Sequence, residues 1–139
     1  MLDKKKTTLS ICLTCRDGLE DIHTTRGGKR FSDKILKQKE FKELNNLEIR
    51  GVKCMSQCKR SCIISLTAEN SFTYMFGDIN PANPKYFKSL TKLISLFNSS
   101  PDGFLKRNER PELFQSNILG RFPPLDTNSA LVICLDRET

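Results

Sequence analysis

The stretch Leu47-Glu48-Ile49-Arg50-Gly51-Val52-Lys53-Cys54-Met55-Ser56-Gln57-Cys58-Lys59-Arg60-Ser61-Cys62-Ile63-Ile64-Ser65-Leu66 decides the fold. Its first six residues alternate apolar and polar side chains, the period-2 pattern of a half-buried strand. Its last five, Cys62 to Leu66, are apolar enough for a strand buried on both faces. Between the two strands lies a polar, basic loop that carries Cys54 and Cys58 and runs into Cys62.

Working outward, Leu9-Ser10-Ile11-Cys12-Leu13 reads as an earlier strand that ends in a Cys12-x2-Cys15 turn. Arg16 to Arg30 is charged and glycine-rich, and reads as a loop. Ser32 or Asp33 opens a helix that runs to about Leu44, with Phe31, Ile35, Leu36, Phe41 and Leu44 along one side. Downstream, Ala68-Glu69-Asn70-Ser71 is a turn signal, and Phe72, Tyr74 and Phe76 alternate in a fourth strand that pairs as a hairpin with the third. Asn83 and Pro84 start a helix to about Asn98, its stripe formed by Tyr86, Leu90, Leu93 and Phe97. The order is β-α-β, then β-β-α. A right-handed crossover makes the first two strands parallel, so the expected fold is α/β and thioredoxin-like, with a four-stranded mixed sheet. Residues 7–99 form that metal-binding domain. Residues 100–139, punctuated by Pro101, Gly103, Pro111, Pro123 and Pro124, form an irregular C-terminal extension packed on it, in which Ile118-Leu119 and residues 131–135 are short packed pieces.

The 139 residues suit one domain, and a chain of this length buries enough surface to need no staples. No apolar run approaches the ~18 residues of a membrane span. The start of the chain lacks the apolar core of an export signal, so the expected compartment is the reducing cytoplasm. The net charge of +7 attracts anions. Tryptophan is absent and the aromatics do not interleave with the cations, which argues against nucleic acid and leaves an acidic redox protein as the expected partner. His23 is the sole histidine and reads as an exposed loop residue, so no multi-histidine site exists; Gly27-Gly28-Lys29-Arg30 reads as a basic turn without a phosphate-loop pattern. Carboxylates are scattered, and no catalytic pair emerges among them.

Six cysteines are the unusual feature: Cys12, Cys15, Cys54, Cys58, Cys62 and Cys134. Cys134, inside Leu131-Val132-Ile133-Cys134-Leu135, reads as a small buried hydrophobe. The others form C-x2-C and C-x3-C-x3-C groups among charged residues, a pattern of metal ligands or redox thiols in a reducing compartment. Parallel strands point their carboxyl ends the same way. The Cys12/Cys15 turn and the Cys54/Cys58 loop therefore emerge at one end of the sheet. Iron–sulfur clusters take four thiolates, as does structural zinc. C-x2-C suits a zinc knuckle, whereas C-x3-C is more familiar in a 2Fe–2S site, and the spacing leaves both open.

Val52 to Cys58 leading into Ile63-Ile64-Ser65-Leu66, followed by Tyr74-Met75-Phe76-Gly77-Asp78-Ile79, resembles the second half of thioredoxin-like 2Fe–2S ferredoxins. With Cys12-Leu13-Thr14-Cys15-Arg16, Asp102-Gly103, Arg110-Pro111 and Arg121-Phe122-Pro123-Pro124, nearly the whole chain resembles a family of uncharacterised bacterial proteins predicted to bind metal. The resemblance implies a thioredoxin-like fold and a 2Fe–2S cluster serving an electron carrier or sensor rather than an enzyme. It carries Cys12, Cys54 and Cys58 over as ligands. Cys15 is the fourth by proximity. Cys12 and Cys15 stand closer in sequence than the first two ligands of those ferredoxins, so Cys62 is the alternative fourth. Arg16, Lys53, Lys59 and Arg60 flank the ligands; positive charge there either favours a reduced cluster or simply faces water.

Two other classes compete. Cys12-x2-Cys15 is the pattern of a thiol–disulfide oxidoreductase, but the expected loop from Asp17 onward separates it from the helix whose N-terminus would activate a thiol, and Ser61-Cys62 stands where thioredoxins have a proline. A zinc or other metal binding or delivery module is the second.

Overall fold

The computed structural model describes residues 5–21 and 25–136. His23 and the chain start, Met1 to Lys4, lie outside them. Five strands and three helices follow in the order β1 (Thr7–Cys12), α1 (Gly27–Lys37), α2 (Lys39–Lys42), β2 (Leu47–Val52), β3 (Ile64–Ala68), β4 (Thr73–Phe76), α3 (Lys85–Ser99) and β5 (Ile118–Phe122). Among the described residues no helix is long and apolar enough to cross a membrane.

The sheet order is β2-β1-β3-β4-β5. β1 and β2 are parallel, with Thr7 opposite Leu47 and Cys12 opposite Val52. β3 runs antiparallel to both β1 and β4. This is the thioredoxin-like arrangement, widened by one strand. The difference from four strands lies in the tail: β5 pairs antiparallel with β4, Met75 opposite Gly120, and after a register shift at Met75/Phe76 the pairing resumes with Phe76 opposite Ile118.

Side chains alternate across a strand, so Leu9, Ile11, Leu66, Ile64, Tyr74 and Phe76 share one face. Onto it pack Phe31 and Ile35 of α1, and Phe87, Leu90, Leu93, Ile94 and Phe97 of α3. Phe31 stacks on Phe87 with ring centroids 5.3 Å apart, and Tyr74 meets Phe97 edge-on at 6.0 Å. Each fully buried side chain of this kind is worth roughly 1.5–3 kcal/mol of transfer free energy. The segment after α3 enters the same core through Leu105 and Phe114. It is pinned by the buried Arg110 guanidinium, which donates to the carbonyls of Phe114, Leu105 and Gln115.

α1 departs from expectation. It begins at Gly27, not at Ser32 or Asp33, so the supposed basic turn Gly27 to Arg30 is its first turn. It stops at Lys37, where Gln38 is extended, and α2 is a separate short turn. The reason is a cap distant in sequence: the Glu20 carboxylate accepts the Gly27 N–H at 3.1 Å. Gly28 is required by close approach, since a Cβ there would drive into the Cys12 carbonyl oxygen. The tail differs too. Leu131, Ile133, Cys134 and Leu135 are exposed rather than packed.

Candidate metal centre

Cys12 is the last residue of β1, and its side chain lies on the sheet face opposite the helices. There Cys12, Cys15 and Ile63 form a second buried cluster, with the half-buried Met55, Met75 and Leu119 packed against it. Cys12 and Cys15 are each 2% exposed and Cys62 is fully buried. Cys54 and Cys58 are exposed, Cys58 opening a single 3-10 turn to Arg60.

Backbone pairing brings the segments together. The Leu13 N–H donates to the Val52 carbonyl at 2.8 Å, extending the β1/β2 ladder past Cys12, and the Cys12 N–H donates to Ile63 at 3.0 Å. The Thr14 hydroxyl donates to the Lys53 carbonyl, and the Ser61 hydroxyl to that of Arg16. Met55, one residue from Cys54, packs against the cluster of Cys12, Cys15 and Ile63. The two thiol-bearing loops thus share one end of the sheet. The peptide joining Ser61 and Cys62 is cis.

The inner thiols are electrostatically unequal. Burial pushes Cys12 up, but hydrogen bonds from the Cys15 thiol, the Thr14 and Met55 N–H groups and the Thr14 hydroxyl outweigh it, and its pKa falls below the ordinary value. Burial, donation to Cys12 and the neighbouring sulfurs push Cys15 far up, against a hydrogen bond from the Ile63 N–H. Cys62 is pushed up to about 12, first by burial and then by the negative charge of Asp17.

Around them lies a set of residues that sequence reasoning passed over. Glu20 accepts N–H groups from Asp17 (3.2 Å), Gly18 (3.1 Å) and Gly27 (3.1 Å). Arg30 of α1 ion-pairs with Asp17 and lies 3.6 Å from Glu20. Burial opposes the Asp17 charge, but the Arg30 hydrogen bond, the Leu19 N–H and the Arg30 charge together hold that carboxyl below its usual range. The Gly28 N–H donates to the Cys15 carbonyl at 3.0 Å. The first turn of α1 is therefore seated on the C-x2-C turn, and the loop expected to separate them does not. The acidic spacing after Cys15 was the available signal. On the rim, Arg16, Lys53 and Lys59 are exposed, while Arg60 is taken up by Asp78, its Nε 2.9 Å from both carboxylate oxygens.

The donors fit a cysteine-held metal group in kind and location: thiols on adjoining loops, with backbone N–H groups aimed at sulfur. They are not gathered. Among the described residues, no group of three or more His, Cys, Asp or Glu side chains is placed to hold a metal ion. The inner thiols are together, and Cys54 and Cys58 stand apart on the surface.

No curated protein matches the chain. Two solved structures from Aquifex aeolicus are similar. A wild-type thioredoxin-like [2Fe-2S] ferredoxin shares 12% identity over 84% of this chain and 98% of that one, with a TM-score of 0.43. A second structure of a thioredoxin-like [2Fe-2S] ferredoxin shares 14% over 88% of this chain and 99% of that one, also at 0.43. The family described as "Protein of unknown function (DUF1636)" matches residues 9–124, from within β1 to just beyond β5. With nearly every element of the fold inside that match, the chain belongs to the DUF1636 family.

Proposed function

We propose that this chain is a small cysteine-ligated metal-binding protein, a 2Fe–2S electron carrier or sensor of the cytoplasm. Cys12, Cys15, Cys54 and Cys58 would hold the cluster, with Cys62 the alternative fourth ligand. The observation that supports it most is the tie between the two loops: the Leu13 N–H donates to the Val52 carbonyl and the Thr14 hydroxyl to that of Lys53, so the C-x2-C turn lies beside the segment that carries Cys54. The cluster would supply one-electron transfer. The protein's part is to carry the thiols, aim N–H groups at sulfur, and exclude water with Met55, Met75 and Leu119. The exposed Arg16, Lys53 and Lys59 would meet an acidic redox partner.

The test is iron, sulfide and zinc analysis with an absorption spectrum on protein purified without oxygen. A brown protein with two irons and two sulfides per chain is expected, colourless in both Cys54→Ser and Cys58→Ser. Full occupancy in either variant would overturn the ligand set. A colourless protein holding stoichiometric zinc would replace this reading with the zinc-binding or delivery module. Comparing Cys15→Ser with Cys62→Ser decides the fourth ligand.

One arrangement favours a second reading, a thiol–disulfide oxidoreductase. Cys12 and Cys15 share one buried cluster, the pKa of Cys12 is lowered and that of Cys15 raised, and the Cys15 carbonyl accepts from Gly28 in the first turn of α1. In exchange, the Cys12 thiolate would attack a substrate disulfide and Cys15 would resolve the mixed disulfide, leaving two substrate thiols and a Cys12–Cys15 bond. Reduction of one equivalent of a model disulfide per chain by reduced, metal-free protein, lost in Cys12→Ser, would support it over the cluster.

A further inference from the structure

We propose that Cys12 and Cys15 alone form a site for a soft monovalent metal ion, Cu(I), that needs neither Cys54 nor Cys58. The inference shares with the preceding section only the premise that this end of the sheet binds metal.

The ligand inventory carries it. The two inner thiols are 2% exposed, share one buried cluster with Ile63, and are packed against by Met55, Met75 and Leu119. The surroundings are apolar and rich in sulfur: two thiols, two thioethers, and the Cys62 thiol within electrostatic reach of both. Glu20 is occupied by three backbone N–H groups, and Asp17 pairs with Arg30 through Oδ1, its Oδ2 being buried without a hydrogen-bond partner. A divalent ion asks for about four donors, and among the described residues no three are gathered. A soft d10 monovalent ion is content with two thiolates, and thiolate and thioether surroundings select Cu(I) over harder metals.

Charge points the same way. Two thiolates and one Cu(I) leave a net −1, where four thiolates on one divalent ion leave −2, and buried charge is costly. The residual charge is met by the Thr14 hydroxyl, 3.8 Å from the Cys12 sulfur. Loading is balanced by loss of the two thiol protons to solvent, with no redox step.

The experiment is competition for Cu(I) between reduced, metal-free protein and bathocuproine disulfonate without oxygen, with X-ray absorption at the copper edge. One Cu(I) per chain with two or three sulfur neighbours is expected. The Cys54→Ser/Cys58→Ser double variant should bind within about threefold of the parent. Cys12→Ser and Cys15→Ser should each weaken binding beyond the about 10–100-fold typical of losing an outer partner, and Met55→Leu should fall within that range. The proposal is overturned if the double variant loses Cu(I), if Cys12→Ser binds as the parent does, or if the edge shows four sulfurs. The sulfur count on the parent stands even where a variant misfolds. Iron and sulfide content of the anaerobically purified parent tests the cluster reading separately, since that reading requires Cys54 and Cys58 and this one does not.

Discussion

Cys12 and Cys15 differ from Cys54 and Cys58 in everything except the atom they carry. The inner pair sits where a strand runs out, its neighbours fixed by ladder hydrogen bonds to Val52 and Ile63 and by the first turn of α1. The outer pair is exposed, with the Ser56 N–H 3.4 Å from the Cys54 sulfur. A thiol becomes part of a site by the backbone that holds it, not by its spacing in the chain. The inner pair is built in by folding, and the outer pair is left on the surface.

That contrast is most easily broken by chemistry on the metal-free protein. Cys54, Cys58 and Cys134 are exposed and Cys12, Cys15 and Cys62 buried. Alkylation followed by mass spectrometry should label the exposed three at least about a hundredfold faster, because reaching the others requires a local opening of roughly 3 kcal/mol. Comparable rates would mean that the inner pair is not held.

Gly28→Ala should remove the difference. The added methyl meets the Cys12 carbonyl oxygen, a backbone atom that cannot swing aside. Overpacking of this kind costs about 1–3 kcal/mol, and here the upper end applies, read as a lower urea midpoint. Cys12 and Cys15 should then react at rates approaching those of Cys54. A variant of unchanged stability would show that α1 is not seated on the C-x2-C turn.

Glu20→Ala should produce a smaller form of the same defect. It removes the acceptor for the Gly27 N–H and for two N–H groups of the loop. Loss of a cap costs about 0.5–2 kcal/mol. Glu20→Gln keeps an acceptor oxygen and should recover part of the loss. Equal stability of both variants with the parent would leave α1 without its cap.

The sequence made the strands legible because alternation is local: Leu47 to Val52 and Phe72 to Phe76 declare themselves within six residues. The convergence of the two loops followed from one topological step, the parallel pairing of β1 with β2. The start of α1 was not legible, because its cap is Glu20, across residues that read as loop, and because Gly27 and Gly28 look like flexibility when they serve close approach. β5 was missed because Ile118 to Phe122 is only partly buried and owes its strand form to β4. The division of five clustered cysteines into inner and outer groups depends on which residues end a strand, a matter of one or two positions that composition does not resolve.

The smallest effect belongs to Cys134. Its surroundings, Leu131-Val132-Ile133 and Leu135, are those of a buried strand, yet it is exposed and its thiol donates to Asp136 at 3.0 Å. Among the described residues nothing encloses it, so Cys134→Ser should lose no packing, and a hydroxyl can make the same short-range bond. Stability should stay within about 0.5 kcal/mol of the parent in urea unfolding, and metal content should not change. A fall in metal content would carry more weight than its size, because it would mean that the tail folds over the thiol end of the sheet. The division between thiols built into the fold and thiols merely near it would then have to be redrawn with a sixth sulfur inside.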